Sequence, residues 1–369
     1  MKAKSQNRIF GLDVLRAVAI LMVVSSHVLW IYPKSDALIP TLLELFGFWG
    51  VELFFVLSGF LIGSILYQSY TSDSFTLQTV FLFLKRRWFR TLPNYYLVLI
   101  VNIFIAYFIG YQIDSLVLYF FFLQNLLTSG PIFFPESWSL SVEEFTYLFL
   151  PFVLLLGTFG IAKNKSKRFL IFVFLLLIIF FFAKVFFNDS QVVSNLTDWN
   201  LKLKSVVIYR IDAILIGALT AWSYFNYEFI WKKYKIHFAF LGIGIVFFLL
   251  FGITFSNLRI EQNPFFWNVI YLPLTSIGFA FFFPVFSEWK FSNSLLKQPI
   301  ETISKISYSI YLLHYSIILQ LMKYFVDTTI LSLSERHFFT ILYIIITFFM
   351  SLIVYRFYEK PIMNLRDKV

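Results

Sequence analysis

The chain has 369 residues, 59% of them hydrophobic and only 14% charged, with 51 phenylalanines and no cysteine. About a quarter of the residues of an ordinary soluble domain are charged, so this composition excludes one and points to an all-α polytopic membrane protein. The net charge of +10 is read as the basic excess of cytoplasmic loops rather than as a nucleic-acid surface. The missing thiols exclude disulfides, thiolate metal sites and a cysteine nucleophile.

In chain order, apolar runs near bilayer length fall at 10–32, 43–67, 91–111, 139–161, 169–187, 206–226, 237–256, 266–287, 308–325 and 338–357. Lys2, Lys4 and Arg8 precede the first run, which is too long for a signal peptide and lacks a small-residue cleavage site, so it is read as an uncleaved helix. The stretch "SLVLYFFFLQNLL" at 115–127 is short, and charge decides its reading. If it spanned, the cluster "KNKSKR" at 163–168 would lie outside the cell, against the positive-inside rule. With 115–127 re-entrant or interfacial, every basic cluster falls on one side. The expectation is about ten helices in one bundle in the cell (inner) membrane, with both termini cytoplasmic. One transmembrane domain is expected over 8–362, flanked by short tails at 1–7 and 363–369.

Ionisable side chains inside lipid are costly and mark function or pairing. In the first helix Arg16 and His27 are eleven residues apart, close to three whole turns, so they share a face and stand about 16 Å apart along the axis. Arg16 alone is equally well read as snorkelling and pairing with Asp13; His27 lies too deep for that. In "GVELFFVLSGFLIG", Glu52 shares a face with Gly59 and Gly63, a small-xxx-small pair that admits a close neighbour, and Glu52 needs a partner. "KRRWFRTLPNYY" sets Arg86, Arg87 and Arg90 against the membrane and Pro93 in the first turn of the next helix. The cluster suits a topology anchor, or a phosphate clamp, since arginine presents a planar donor fork. In "ESWSLSVEEFTY", Glu143 and Glu144 point about 100° apart, Tyr147 lies one turn from Glu143, and Trp138 is an interface anchor. Arg210 and Asp212 are two apart in "YRIDAILIGAL", which favours partners on other helices. Ser307, Tyr311 and His314 form one stripe, and Glu359 with Pro361 reads as a helix stop. Glu52, Glu143, Arg210 and Asp212 are placed in an outer polar layer, and the arginine cluster, His314 and Glu359 in a cytoplasmic one. The sequence has no Walker-type glycine loop, GxSxG elbow or zinc signature.

Taken together, Arg16-x10-His27, "FFVLSGFLIG", "RRWFRTLP", "WSLSVEEFTY", "YRIDAILIGAL", "SYSIYLLH" and the terminal "YEKP" resemble the acyltransferase 3 family of integral membrane acyltransferases. The resemblance extends over about residues 8–362. It implies transfer of an acyl group, most often acetyl, from cytoplasmic acyl-CoA (acetyl-CoA) as co-substrate, with no metal, to a hydroxyl of a cell-surface or exported glycan or glycolipid. By position His27 matches the family's essential histidine, Arg16 its arginine, Arg87 and Arg90 the RxxR loop, and Glu143 the glutamate of the WSL motif. "EEFTY" departs from the Glu-Gln-Phe-Tyr of many members but leaves Glu143 in place, and the expectation is a protein without the C-terminal hydrolase-like domain of some relatives.

The mechanism expected from this has Arg86, Arg87 and Arg90 holding the acyl-CoA phosphates and the pantetheine arm passing Arg16. His27 acts as general base, Glu143 or Asp212 orients the imidazole, and Glu52, Trp138 and Arg210 meet the sugar. His314 is the second candidate base. The competing readings are a glycan or lipid transporter or flippase, for which inverted repeats would speak and none is found, and a membrane scaffold, which leaves His27 and Glu143 unexplained. The expected partners are membrane lipids and a carbohydrate or glycolipid acceptor, with no nucleic acid.

Overall fold

The computed structural model describes residues 8–366 apart from 36, 73–74, 131–132, 160–163 and 294. The tails 1–7 and 367–369 and the first residue of the 163–168 cluster therefore lie outside the described residues. Among those described there is helix but no strand.

The first half runs through α1 Phe10–His27, α2 Leu38–Thr71, α3 Leu77–Ile109, the short α4 Leu116–Phe120, α5 Ser137–Leu156 and α6 Lys165–Ser190. A single turn, α7 Leu196–Trp199, and a π-helical turn at Asn200–Lys204 lead into α8 Ile211–Asn226. The second half comprises α9 Glu228–Lys233, α10 Lys235–Phe247, α11 Ile253–Phe255, α12 Tyr271–Ala280, α13 Phe283–Glu288, α14 Lys297–Leu313, α15 Gln320–Phe325, α16 Leu333–Val354 and α17 Lys360–Leu365. A π-helical stretch, His314–Leu319, joins α14 to α15 without a break.

Among the described residues, eight helical segments are long and apolar enough to cross a membrane: 10–31, 38–71, 77–109, 137–156, 165–190, 235–252, 266–288 and 333–365. Two of the ten expected spans, 206–226 and 308–325, are helical but fall outside this set. The helix α8 has only 16 residues, and the run 297–325 carries buried Ser304, Ser307, Ser309 and His314. Residues 115–127 contain only a five-residue helix, bracketed by left-handed Ser115 and Phe122, a backbone region costly for residues other than glycine. This stretch docks on α3, where the Tyr95 and Tyr96 hydroxyls donate to the Tyr119 and Phe120 carbonyls at 2.7 and 2.9 Å.

Two sequence-derived boundaries move. Thr76 caps α3 and accepts from the Thr79 N–H, so "KRRWFR" lies inside the helix, and Pro93 is internal rather than in its first turn. Lysine and arginine are good helix formers, so the cluster continues the helix that Thr76 caps. Pro361 likewise does not stop the chain: it occupies the first turn of α17, where its missing N–H costs no helix bond.

Helix α2 is the hub, with α1 on one side and α8 on the other. A Cβ on Gly59 would lie 2.0 Å from the Ile214 carbonyl oxygen, and one on Gly217 would lie 2.2 Å from that of Val56. The two helices thus cross in backbone contact, as the small-residue pattern predicts. Phenylalanines such as Phe174, Phe182 and Phe186 of α6 stay more than half exposed, which suits a surface turned to lipid tails.

Candidate functional site

Arg16 and His27 both face α14 and its π-helical continuation, so their shared helix face is a shared contact. The Arg16 guanidinium lies 3.5 Å from Ser304 Oγ and 3.9 Å from Asp13, while Asp13 is chiefly engaged by Arg8 and by Ser304, whose hydroxyl donates to it at 2.7 Å. Eleven residues along, His27 Nδ1 lies 3.2 Å from His314 Nε2. His27 is only part-buried, and the Tyr315 ring packs 4.6 Å from it on another side.

The hydrogen bonds fix the tautomers. His314 is fully buried, and its Nδ1 sits 2.8 Å from the Tyr311 carbonyl and 3.1 Å from that of Ile310. Carbonyl oxygens only accept, so this nitrogen carries the proton and His314 Nε2 is an acceptor. His27 Nδ1 then donates, shared between His314 Nε2 and the Val23 carbonyl at 2.9 Å. The lone pair is left on His27 Nε2, which bonds no other group among the described residues. The arrangement is that of a base oriented through its other ring nitrogen.

Below this pair a cavity of about 770 Å³, counting its open mouth, is lined by Arg16, Arg87, Arg90, Glu143, Tyr147, Ser307 and Tyr311 among others. Three of the predicted donor-site arginines thus converge, while Arg86 is exposed and does not line the cavity. Arg87 and Arg90 form no ion pair among the described residues; Arg87 lies over the Tyr147 and Phe83 rings at 5.6 and 5.8 Å. Tyr311 joins the cavity to the histidines, its ring 5.8 Å from that of His314. The Ser307–Tyr311–His314 stripe therefore runs continuously from the arginines to His27.

Several predicted placements change. His314 stands at the level of His27 and not in the arginine layer. Its helix starts at Lys297, not 308, and 17 residues advance it by about 25 Å. Glu143 opens into the arginine cavity, not toward the opposite end. It accepts from the Tyr147 hydroxyl at 2.8 Å, and that oxygen also lies 2.6 Å from Ser58 Oγ. Glu144 turns away to take the Thr91 hydroxyl at 2.7 Å. Asp212 pairs with Lys184 of α6 in the buried core. Neither Glu143 nor Asp212 hydrogen-bonds His27, so orientation of the imidazole passes to His314 and the Val23 carbonyl.

Glu52 and Arg210 form a buried ion pair, both fully inaccessible, and Ser276 donates to the second Glu52 oxygen. Engaged this way they are not presented to a sugar. Trp138 is half-buried between Phe55, 5.7 Å away edge-on, and the Lys204 ammonium, 5.4 Å from its ring. Glu359 is buried under Asn94 and Ser309. Sequence reasoning missed Lys184, Lys204, Glu136 and Tyr315. Lys184 was findable as a lone charge in "FFFAKVFF"; Lys204 and Tyr315 carry no local signal, because folding alone brings them beside the site.

A family model described as an acyltransferase domain, that of the acyltransferase 3 family, matches residues 9–356. The chain is 28% identical to O-acetyltransferase OatA of Staphylococcus aureus strain NCTC 8325, over 95% of this chain and 57% of that protein. It is 25% identical to the peptidoglycan O-acetyltransferase OatA of Listeria monocytogenes, over 97% of this chain and 56% of the relative. A putative O-acetyltransferase of S. aureus strain COL is 24% identical over 98% of this chain and 58% of its own length. The chain thus spans a little over half of the curated relatives it matches. No solved structure matches it. An Arg16-to-His27 helix face, an arginine-lined cavity and a whole-length family match agree, and the chain belongs to the acyltransferase 3 family.

Proposed function

We propose that this protein is a membrane O-acetyltransferase that moves acetyl from cytoplasmic acetyl-CoA to a hydroxyl of a cell-envelope glycan. The observation that carries the reading is continuity: Arg16, Arg87 and Arg90 line one cavity whose far wall, Tyr311, abuts the histidine pair. The arginines end the cavity where phosphates would arrive, Arg87 and Arg90 without an ion-pair partner among the described residues and ready for charge-assisted bonds. The thioester then reaches toward His27, whose free Nε2 takes the hydroxyl proton as the oxygen attacks the carbonyl carbon. Departure of the CoA thiolate completes the transfer. His314 holds the His27 tautomer that can act as base, and Glu143 with Tyr147 shapes the donor cavity. The glycan class rests on the relatives named O-acetyltransferase and, in Listeria, peptidoglycan O-acetyltransferase. The one-sided basic clusters support a cytoplasmic setting for the arginine end, in a cell membrane.

The test is consumption of acetyl-CoA by purified protein in nanodiscs, with and without a cell-envelope extract. His27→Ala should lower turnover by about 10²–10⁴-fold, the usual weight of a general base, while calorimetry finds acetyl-CoA still bound. A folded His27→Ala protein with wild-type turnover would remove the proposed chemistry.

A further inference from the structure

We propose that Lys204 supplies the positive charge that meets the oxyanion formed during acyl transfer at His27. The inference rests on the acyltransferase reading above and adds a residue that no sequence motif marks.

Lys204 closes the π-helical turn Asn200–Lys204, whose backbone is pinned from three directions. The Gly130 N–H donates to the Leu201 carbonyl at 3.0 Å, the Ser205 N–H to that of Asn200 at 2.9 Å, and Asn125 Nδ2 to that of Ser205 at 2.6 Å. The ammonium rests 5.4 Å from the Trp138 ring and 5.6 Å from that of Phe48. It forms no ion pair among the described residues. Glu52, whose charge acts on Lys204, has one oxygen on Arg210 and the other on Ser276. A half-buried ammonium held by two rings and left without an anion is costly. Both rings lead to the histidines: Gly47, next to Phe48, packs on the Ser26 side chain beside His27, and Ser139, next to Trp138, pairs with the Tyr311 hydroxyl against His314, so the Lys204 charge acts on His27.

The sign of that interaction selects the role. His27 gains a proton during the step, so a fixed cation beside it opposes catalysis unless negative charge appears between them at the same moment. The thioester carbonyl supplies it. The hydroxyl gives its proton to His27 Nε2 and its oxygen bonds the carbonyl carbon. The C=O pair moves onto the oxygen, facing Lys204, which donates a hydrogen bond and keeps its proton. Collapse re-forms C=O, breaks the C–S bond, and His27 returns the proton to the CoA thiolate. An anion already present on the acceptor would give the same attraction before and after, and so would aid binding rather than the step.

The experiment compares Lys204→Met, which keeps the stem against the rings, with Lys204→Arg in the full chain. It measures kcat, the KM values for acetyl-CoA and acceptor, and melting temperature. Lys204→Met should keep its melting temperature and acetyl-CoA KM and lose kcat by about 10²–10³-fold, as for removal of one oxyanion donor; Lys204→Arg should recover part of it. Lys204 lies outside the membrane-crossing helices, and burial, with Arg210 adding and Glu52 opposing, pushes its ammonium down to about 8. Wild-type kcat should therefore fall as pH rises through about 8, and the Arg variant, which stays protonated, should lose that alkaline limb. Unchanged kcat in a folded Met variant, a rise confined to acceptor KM, or an alkaline limb that persists in the Arg variant would each overturn the proposal. A wild-type protein that never consumes acetyl-CoA would defeat the acyltransferase reading, and this inference with it.

Discussion

Replacing Arg210 by methionine strands the Glu52 carboxylate in the centre of the bundle. Both residues are fully inaccessible, so no water reaches the carboxylate, and its remaining donor is the Ser276 hydroxyl. Breaking one side of a buried pair in this way costs about 3–5 kcal/mol. At roughly 2 °C per kcal/mol for large domains, Arg210→Met should melt about 6–10 °C below wild type. Removing the second charge as well should behave differently. Arg210 Nε and Nη1 have no hydrogen-bond partner among the described residues, so the pair is imperfectly satisfied even when intact. Glu52→Gln with Arg210→Met, which keeps an acceptor for Ser276, should regain most of the loss, a coupling of several kcal/mol between touching residues. The assay is fluorescence-detected melting in one detergent, with acetyl-CoA turnover measured well below the transition. An Arg210→Met protein that melts with wild type yet shows an acceptor KM raised tenfold would refute the structural role and return Arg210 to the sugar site.

Arg87→Ala with Arg90→Ala should raise the acetyl-CoA KM, and the wild-type KM should itself rise with salt as the exposed part of the clamp is screened; an unchanged KM would reduce the cluster to a topology anchor. His314→Phe removes the acceptor that His27 Nδ1–H points at, so kcat should drop with acetyl-CoA affinity intact, whereas wild-type kcat would confine orientation of the base to the Val23 carbonyl. Cysteines introduced at 165 and 234 of this cysteine-free chain should resist impermeant thiol reagents in intact cells while one at 195 labels; labelling at 165 would invert the proposed orientation.

The parts of this fold that could be read in the sequence were those governed by helix period and by the cost of charge in lipid. The Arg16–His27 face, the Gly59 crossing, the Glu143–Tyr147 contact and the demand of Glu52, Arg210 and Asp212 for partners on other helices all follow from those two rules. Which acid meets which base does not, because any buried carboxylate satisfies any buried cation equally well on paper. His314 was misplaced because the first turns of its helix are polar and a hydropathy window begins too late. Lys204 was invisible because a lysine in a loop reads as solvated until tertiary packing lays Trp138 and Phe48 against it.

The π-helical stretch after Leu313 has a consequence for how the register of the bundle can be lost. A π turn carries one residue more than the α turn it replaces, and Ser316 within it gives its N–H to the buried Glu136 carboxylate at 2.7 Å. Deleting any one residue between 315 and 319 would leave hydropathy, charge and helix content almost untouched. It would also turn Gln320–Phe325 by about 100° relative to the Tyr311–His314 stripe. The bundle thus depends on a residue count as well as on residue identities: a reading-frame-preserving loss of three nucleotides there would yield a chain that inserts and spans normally while the helix after His314 leaves its register.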